Sequence, residues 1–251
     1  MMELDLDRFA GIGLAELDER AKLHERTDQK YVVPASALDA ALAELADDFD
    51  VLDIDGRRSF SYDSVYFDGP GLPSFVHHRQ GRRLRFKVRI RNYVDAGAAF
   101  LEVKLKGKRR ATVKRRLALG PSGELDASGV AFIEGVYAAL YARDFDTALA
   151  PSVRVRYHRT TLVARRGGER ITVDRDVAFE GDAGQIAIDG GVAIVETKSH
   201  GGRGLADQVL RRLQQRPVAH CSKYCVGVSA LGIADRDGPF RPAMTLLGVR
   251  G

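Results

Sequence analysis

Between residues 83 and 91 the chain reads Arg-Leu-Arg-Phe-Lys-Val-Arg-Ile-Arg, a strict alternation of cation and apolar residue. Period-two alternation marks a half-buried β-strand, because successive side chains leave opposite faces. Arg83, Arg85, Lys87, Arg89 and Arg91 share one face at a spacing of about 6.6 Å. Leu84, Phe86, Val88 and Ile90 share the other. Like charges lined up with no acid among them repel, so the pattern points to a bound anion rather than a solvated surface.

The following segments repeat the theme. In Leu-Glu-Val-Lys-Leu-Lys at 101–106, Leu101, Val103 and Leu105 alternate with Glu102, Lys104 and Lys106. Thr112, Lys114 and Arg116 share a face beyond them. Neighbouring strands lie about 4.8 Å apart, so the cations of adjacent strands form a two-dimensional array. Arg suits phosphate in such an array because its planar fork bonds two oxygens at once. The chain as a whole has 39 Lys and Arg against 34 Asp and Glu, a net charge of +5. The excess is concentrated at 82–116 and would draw a polyanion.

Acids enter the same alternation at few places. Glu196 and Lys198 alternate in Ala-Ile-Val-Glu-Thr-Lys-Ser, and Asp174 and Asp176 in Ile-Thr-Val-Asp-Arg-Asp. Mg²⁺ is held by one or two carboxylates plus the substrate's phosphate oxygens. Glu196 is therefore the candidate metal ligand, the alternative being a salt bridge to a neighbouring cation. Asp174 and Asp176 are the next candidates.

The rest of the chain reads as one domain with about eight strands, near 50–55, 59–67, 82–95, 98–107, 111–119, 152–165, 169–179 and 192–199. Loops fall at Gly-Pro-Gly-Leu-Pro-Ser and Gly-Lys-Arg-Arg. Helical spacing follows Pro34 and recurs at about 129–142 and 203–214. Short connections suggest a meander closing on itself, which removes sheet edges. The expected fold is α+β, mainly β: an eight-stranded antiparallel barrel with flanking helices. Residues 1–23 read as a polar lead-in and 233–251 as a Pro/Gly-rich tail. No stretch is apolar enough to span a membrane, and the acidic N-terminus lacks the pattern of a secretory signal, so a cytoplasmic location is expected. Cys221 and Cys225 read as packing thiols, since no second Cys/His pair completes a zinc set. His77 and His78 read as solvated loop residues. There is no GxxxxGK[ST] loop and no GxGxxG turn.

Taken in order, Glu-Arg-Thr-Asp-Gln-Lys-Tyr at 25–31, Val-Tyr-Phe-Asp at 65–68, Lys-Val-Arg-Ile-Arg at 87–91 with Tyr93, and Phe-Leu-Glu-Val-Lys at 100–104 resemble the VTC domain. Tyr157 with Arg159, Arg170 to Asp176, Glu196 to Lys198, and Ser222-Lys223-Tyr224 continue the likeness, which runs over 24–232. This is the polyphosphate polymerase domain of the vacuolar transporter chaperone family, among the triphosphate tunnel metalloenzymes. The resemblance implies a tunnel that binds a nucleoside triphosphate and a divalent cation, Mn²⁺ or Mg²⁺, and moves the γ-phosphate onto polyphosphate. It implies phosphate contacts from Lys30, Arg89, Arg91, Lys104, Lys114, Tyr157, Arg159, Arg170, Ser222 and Lys223, and makes Glu196 the metal ligand. The alternating pattern adds Lys87 and Lys198.

Hydrolytic tunnel enzymes begin with Glu-x-Glu-x-Lys, where this chain has Arg26-Thr-Asp28-Gln-Lys30. That departure favours a polymerase over a triphosphatase of the same fold. A non-catalytic polyphosphate or nucleic-acid binder is the third reading. Nucleic acid is disfavoured because Trp is absent and Tyr93 and Phe86 fall on opposite faces, a poor platform for stacking bases.

Overall fold

Each run of alternating residues becomes a strand, and together they make one sheet of 11 strands. In chain order the elements are β1 (Ala10–Ile12), α1 (Leu14–Arg20), β2 (Thr27–Pro34), α2 (Ala35–Leu45), β3 (Phe49–Leu52), β4 (Phe60–Asp68), α3 (Pro73–Arg79), β5 (Phe86–Tyr93), β6 (Ala98–Lys106) and β7 (Thr112–Ala118). They continue with α4 (Ala127–Tyr141), β8 (Ala150–Ala164), β9 (Arg170–Gly181), β10 (Gly184–Ala187), β11 (Val192–Ser199), α5 (Leu205–Arg212), α6 (Lys223–Ala230) and α7 (Arg241–Leu246). The structure, a computed structural model, describes residues 2–21, 26–107, 112–120 and 123–249. Residue 25 of the first matching segment and residues 108–110 of the expected Gly-Lys-Arg-Arg loop lie outside them.

The main path runs β2-β11-β9-β8-β4-β5-β6-β7, with β1, β3 and β10 attached beside it. The ladders of this path are antiparallel; β1 and β3 run parallel. The expected closed barrel is corrected here: among the described residues β2 and β7 form no ladder with each other, so the sheet is open. Closing a sheet requires strand tilt and register stagger to match the number of strands, which a count of strands alone does not secure. The sheet nonetheless curls, since Lys104 on β6 lies in the field of Lys30 and Asp28 on β2.

The outer face is covered by helices. Leu38, Leu42 and Leu45 of α2 and Val209 and Leu210 of α5 pack on Tyr31, Val33, Val173 and Val195. Ile133 of α4 packs on Val88, Ile90, Leu101 and Val103. The inner face changes character along each strand. Val32, Ile194, Val153 and Val155 form an apolar half, which α6 covers with Tyr224, Cys225 and Val228. Gly227 permits that approach, because a Cβ there would stand 2.7 Å from Phe179. The other half carries the charges.

Several expectations shift. The strand around the cations begins at Phe86 rather than 82, after a turn at Gly81. His77 and His78 lie on α3 rather than in a loop. Beyond residue 232 the expected tail holds α7, and Phe240, Met244 and Leu247 are buried in the core with α6. The reading of Cys221 and Cys225 as packing thiols, by contrast, holds: both are free and buried.

Candidate anion-binding site

The charged half of the inner face is a cleft whose walls follow from the strand registers. Glu196 stands opposite Lys30, and Lys198 opposite Asp28 and Arg170. Arg159 stands opposite Asp174. On the other wall Lys87 faces Lys104, Arg89 faces Glu102, and Lys104 faces Lys114. Ser222 caps α6 and accepts from Lys87 Nζ at 2.7 Å. The next residue, Lys223, reaches Asp174. The structure thus brings together Lys30, Lys87, Arg89, Arg91, Lys104, Lys114, Tyr157, Arg159, Arg170, Glu196, Lys198, Ser222 and Lys223, all expected from the sequence.

Arg83 and Arg85 are the exceptions. They precede β5, and Arg85 Nη1 donates to the Arg82 carbonyl at 2.9 Å. Asp176 also departs from the expected face. A bulge between Arg156 and His158, with Asp176 at φ 52, turns its carboxylate to His158 Nδ1 at 3.3 Å.

Three carboxylates, Glu102 and Asp174 buried and Glu196 partly buried, each sit between two cations. Glu196 accepts from Lys198 at 2.7 Å and stands 3.6 Å from Lys30. Asp174, fully buried, accepts from Arg159 Nε at 2.6 Å and from Lys223. Glu102 accepts from Arg89 Nη2 at 2.5 Å and Lys114 at 2.5 Å. Burial alone would raise their pKa values, but the adjoining cations outweigh it and hold all three well below the usual carboxylate range.

Other cations have no carboxylate within ion-pair distance among the described residues. Arg91 is only 5% exposed, and its guanidinium meets the Tyr157 hydroxyl at 2.7 Å and Ser64 Oγ at 3.4 Å. Lys87 bonds Ser222, and Arg170 keeps a buried Nε with no partner. Thr172, next to Arg170 on the same strand face, has an unpartnered hydroxyl. Tyr62 and Tyr157 stack at 5.2 Å, flanked by Arg91 and by Arg159 at 5.3 Å from the Tyr62 ring.

Sequence reasoning missed Tyr62, Tyr66 and the pairing role of Glu102. The alternation of Tyr62, Ser64 and Tyr66 in β4 was the available signal for the tyrosines. Tyr66 accepts from Arg89 Nη1 at 2.8 Å; burial favours its neutral form, but Arg89, Arg91 and Lys87 prevail and lower its pKa. His78 donates from Nδ1 to the Ser74 carbonyl at 2.9 Å, and burial with the Lys87 charge lowers its pKa to about 2. It is a neutral imidazole.

Among the described residues no cluster of three or more His, Cys, Asp or Glu side chains could hold a metal by itself. Glu196 offers one carboxylate, already facing two lysines. That fits a divalent cation shared with substrate phosphates, and does not fit a site made by the protein alone.

A profile of the VTC domain matches residues 25–232. The chain belongs to the VTC domain family. No curated protein matches. Among solved structures, a putative adenylyl cyclase from Hippeastrum, described as having a dominant triphosphatase activity, is similar at 15% identity. The alignment covers 82% of this chain and 96% of that one, with a TM-score of 0.50. A protein from Pyrococcus horikoshii aligns at 13% identity over 76% of this chain and 90% of its own, with a TM-score of 0.42. At such identity the likeness is one of fold: a mainly antiparallel sheet with flanking helices, as in triphosphate tunnel proteins.

In this VTC domain partial desolvation in the cleft, then the neighbouring Lys30 and Lys87, lower Lys104 to about 8, and partial desolvation lowers Lys114 to about 8 as well, though both side chains keep contact with solvent. A protonated amine attracts anions and a neutral one does not, so affinity for triphosphate, the kind of anion the family points to, is expected to fall as pH rises from 7 to 9. The ligand-free protein should change in the opposite sense. Between about 8 and the ordinary lysine value of 10.5 the unfolded chain holds protons that the folded one has released, so stability rises with pH there. Calorimetric titration with triphosphate and denaturant unfolding, each across this range, check the two trends.

Proposed function

We propose that this chain is a metal-dependent polyphosphate polymerase that transfers the γ-phosphate of a nucleoside triphosphate, such as ATP, to a polyphosphate chain held in the cleft. The observation that carries this reading is the set of cations without carboxylate partners, Lys87, Arg91, Lys104 and Arg170, beside cations already clamped by acids. A buried guanidinium lacking a counter-charge is costly, and a string of phosphates supplies several counter-charges at once.

Lys30, Arg89, Arg91, Arg159 and Lys198 would contact the reacting phosphates. Lys87, Lys104, Lys114, Tyr157, Arg170, Ser222 and Lys223 would bind the remainder of the triphosphate and the acceptor. A terminal oxygen of the acceptor attacks the γ-phosphorus, the bond to the bridging β–γ oxygen breaks, and nucleoside diphosphate leaves with that electron pair. The attacking oxygen is already anionic, so no proton has to be removed. Positioning and charge stabilisation then account for the rate. Glu196 would hold a divalent cation jointly with phosphate oxygens, supplying neutralisation of charge on the triphosphate.

Transfer is favoured over hydrolysis by the state of the acids. Activation of water calls for a general base with a pKa near the working pH. Glu102, Asp174 and Glu196 are all held far below that, and Asp28 at the mouth of β2 is paired with Arg26 at 3.3 Å. The fold shared with the Hippeastrum structure supports a triphosphatase as the second reading. Nucleic acid is a poorer fit, because cations already flank the Tyr62–Tyr157 stack where bases would lie. A cytoplasmic location belongs to the proposal; the structure adds that no helix among the described residues is long and apolar enough to cross a membrane.

The deciding experiment supplies ATP labelled at the γ-position, Mn²⁺ or Mg²⁺, and a short polyphosphate primer. Label should appear mainly in lengthening chains, and Glu196→Gln should suppress its incorporation by about 100-fold or more, the scale of a lost electrostatic contact to the transition state. Orthophosphate as the main product would replace the polymerase by the triphosphatase. Tight polyphosphate binding with no product at all would make the chain a binding module.

A further inference from the structure

We infer that Glu102 is an internal counter-anion, which occupies Arg89 and Lys114 in the empty cleft and is displaced from them by a substrate phosphate. This rests on the anion-binding reading above and adds a positioning residue to it. Glu102 lies on β6, where the alternation Leu101-Glu102-Val103-Lys104 places it on the face that carries Lys104. The strand registers set it opposite Arg89 on one side and Arg116 on the other.

Arg89 uses three of its five N–H groups on this cluster. Its Nε and Nη2 both donate to Glu102 Oε2, at 2.7 and 2.5 Å, and its Nη1 donates to the Tyr66 hydroxyl at 2.8 Å. Each nitrogen of the guanidinium is engaged. The edge of the fork that would grip a phosphate is therefore already gripping one carboxylate oxygen, which stands where a phosphate oxygen would. The second oxygen of Glu102, Oε1, takes Lys114 at 2.5 Å.

Burial distinguishes the two partners. Glu102 is 2% exposed, whereas the Lys114 side chain is 46% exposed on β7, at the open edge of the sheet. The pair thus runs from the interior to the side on which β2 and β7 remain unzipped. Two cations held by a buried acid are pre-positioned, because the acid removes both their mutual repulsion and their rotamer freedom. The same acid opposes any incoming anion. Glu102 accordingly trades affinity for alignment, which is the compromise a transferring enzyme needs: binding the ground state too firmly contributes nothing to the chemical step.

A purely structural role for Glu102, stitching β5 to β7, makes the opposite prediction for binding. Loss of such a stitch would loosen the cations and weaken affinity. The sign of the change therefore separates the two.

The experiment titrates inorganic triphosphate into the wild-type full chain and into Glu102→Gln, at several salt concentrations, with turnover followed in parallel. Glu102→Gln should bind triphosphate about tenfold more tightly, the scale expected for removing one like charge about 10 Å away at an effective dielectric of about 20. Its affinity should also fall more steeply with salt, since one more cation is free for the ligand. kcat and KM should both fall. Equal or weaker affinity in a folded variant overturns the inference and leaves the anion site standing. No triphosphate binding by the wild type overturns the anion-site reading and this inference with it. A crystal structure of the wild type with triphosphate supplies a test that does not depend on the variant folding. Phosphate oxygens on Arg89, with the Arg89–Glu102 contact opened beyond 3.5 Å, are the expected result; an intact Arg89–Glu102 pair beside bound triphosphate refutes displacement.

Discussion

Replacing Asp174 by alanine is expected to destabilise the fold by about 3–5 kcal/mol, the scale for breaking a buried ion pair by removing one partner. Asp174 has no exposed surface and is the acid between Arg159 and Lys223. Without it two cations are left close together against the Tyr157 ring, which lies 5.2 Å from the Arg159 guanidinium and 4.8 Å from Lys223 Nζ. The damage would spread, because Lys223 opens α6 and α6 fills the apolar half of the inner face. Polyphosphate should restore part of the loss by supplying the missing negative charge, in proportion to its occupancy. Urea unfolding with and without polyphosphate measures both. A loss below about 1 kcal/mol would mean that Asp174 is not the acid holding Arg159 and Lys223, since removing a buried partner costs more than that.

Arg91→Met is expected to do the reverse. Arg91 is buried, and its partners are the Tyr157 and Ser64 hydroxyls and two tyrosine rings. Methionine fills much of the same volume without a charge to desolvate, so stability should hold or improve. Triphosphate affinity should drop by about 10–100-fold, the range for losing a charged hydrogen-bonding contact. A variant that keeps wild-type affinity would take Arg91 out of the binding face; one that unfolds would show that Arg91 is a structural cation.

The two variants mark what could and could not be read from the chain. Strand period two was enough to put Lys87, Arg89 and Arg91 on one face, because each element's own residues fix which side they leave. It could not show that Arg91 lacks a carboxylate while Arg89 has one, since that depends on register across β5 and β6. The bulge that turns Asp176 away from Asp174 is likewise a property of two strands together. Barrel closure failed as an expectation for the same reason: counting strands cannot say whether the first and last will pair. α3 and α7 were obscured by Pro and Gly, which read as loop signals. In the fold Pro73 opens α3 and Pro242 lies in the first turn of α7, where a missing N–H has no cost. Glu102 was visible in the alternation, but nothing in a single strand distinguishes a stray acid from one that clamps two cations.

The proposed polyanion site depends on several cations of the inner face acting together. Its most direct test is the affinity for polyphosphate of defined length, measured by calorimetry across a series of salt concentrations. Binding of a polyanion by several cations releases counterions together, so the logarithm of the affinity should fall linearly and steeply with the logarithm of salt concentration. Lys104→Ala should weaken binding and flatten that slope by about one charge. Affinity that is absent, or that is indifferent to salt and to Lys104, would mean that the inner face is not a polyanion site.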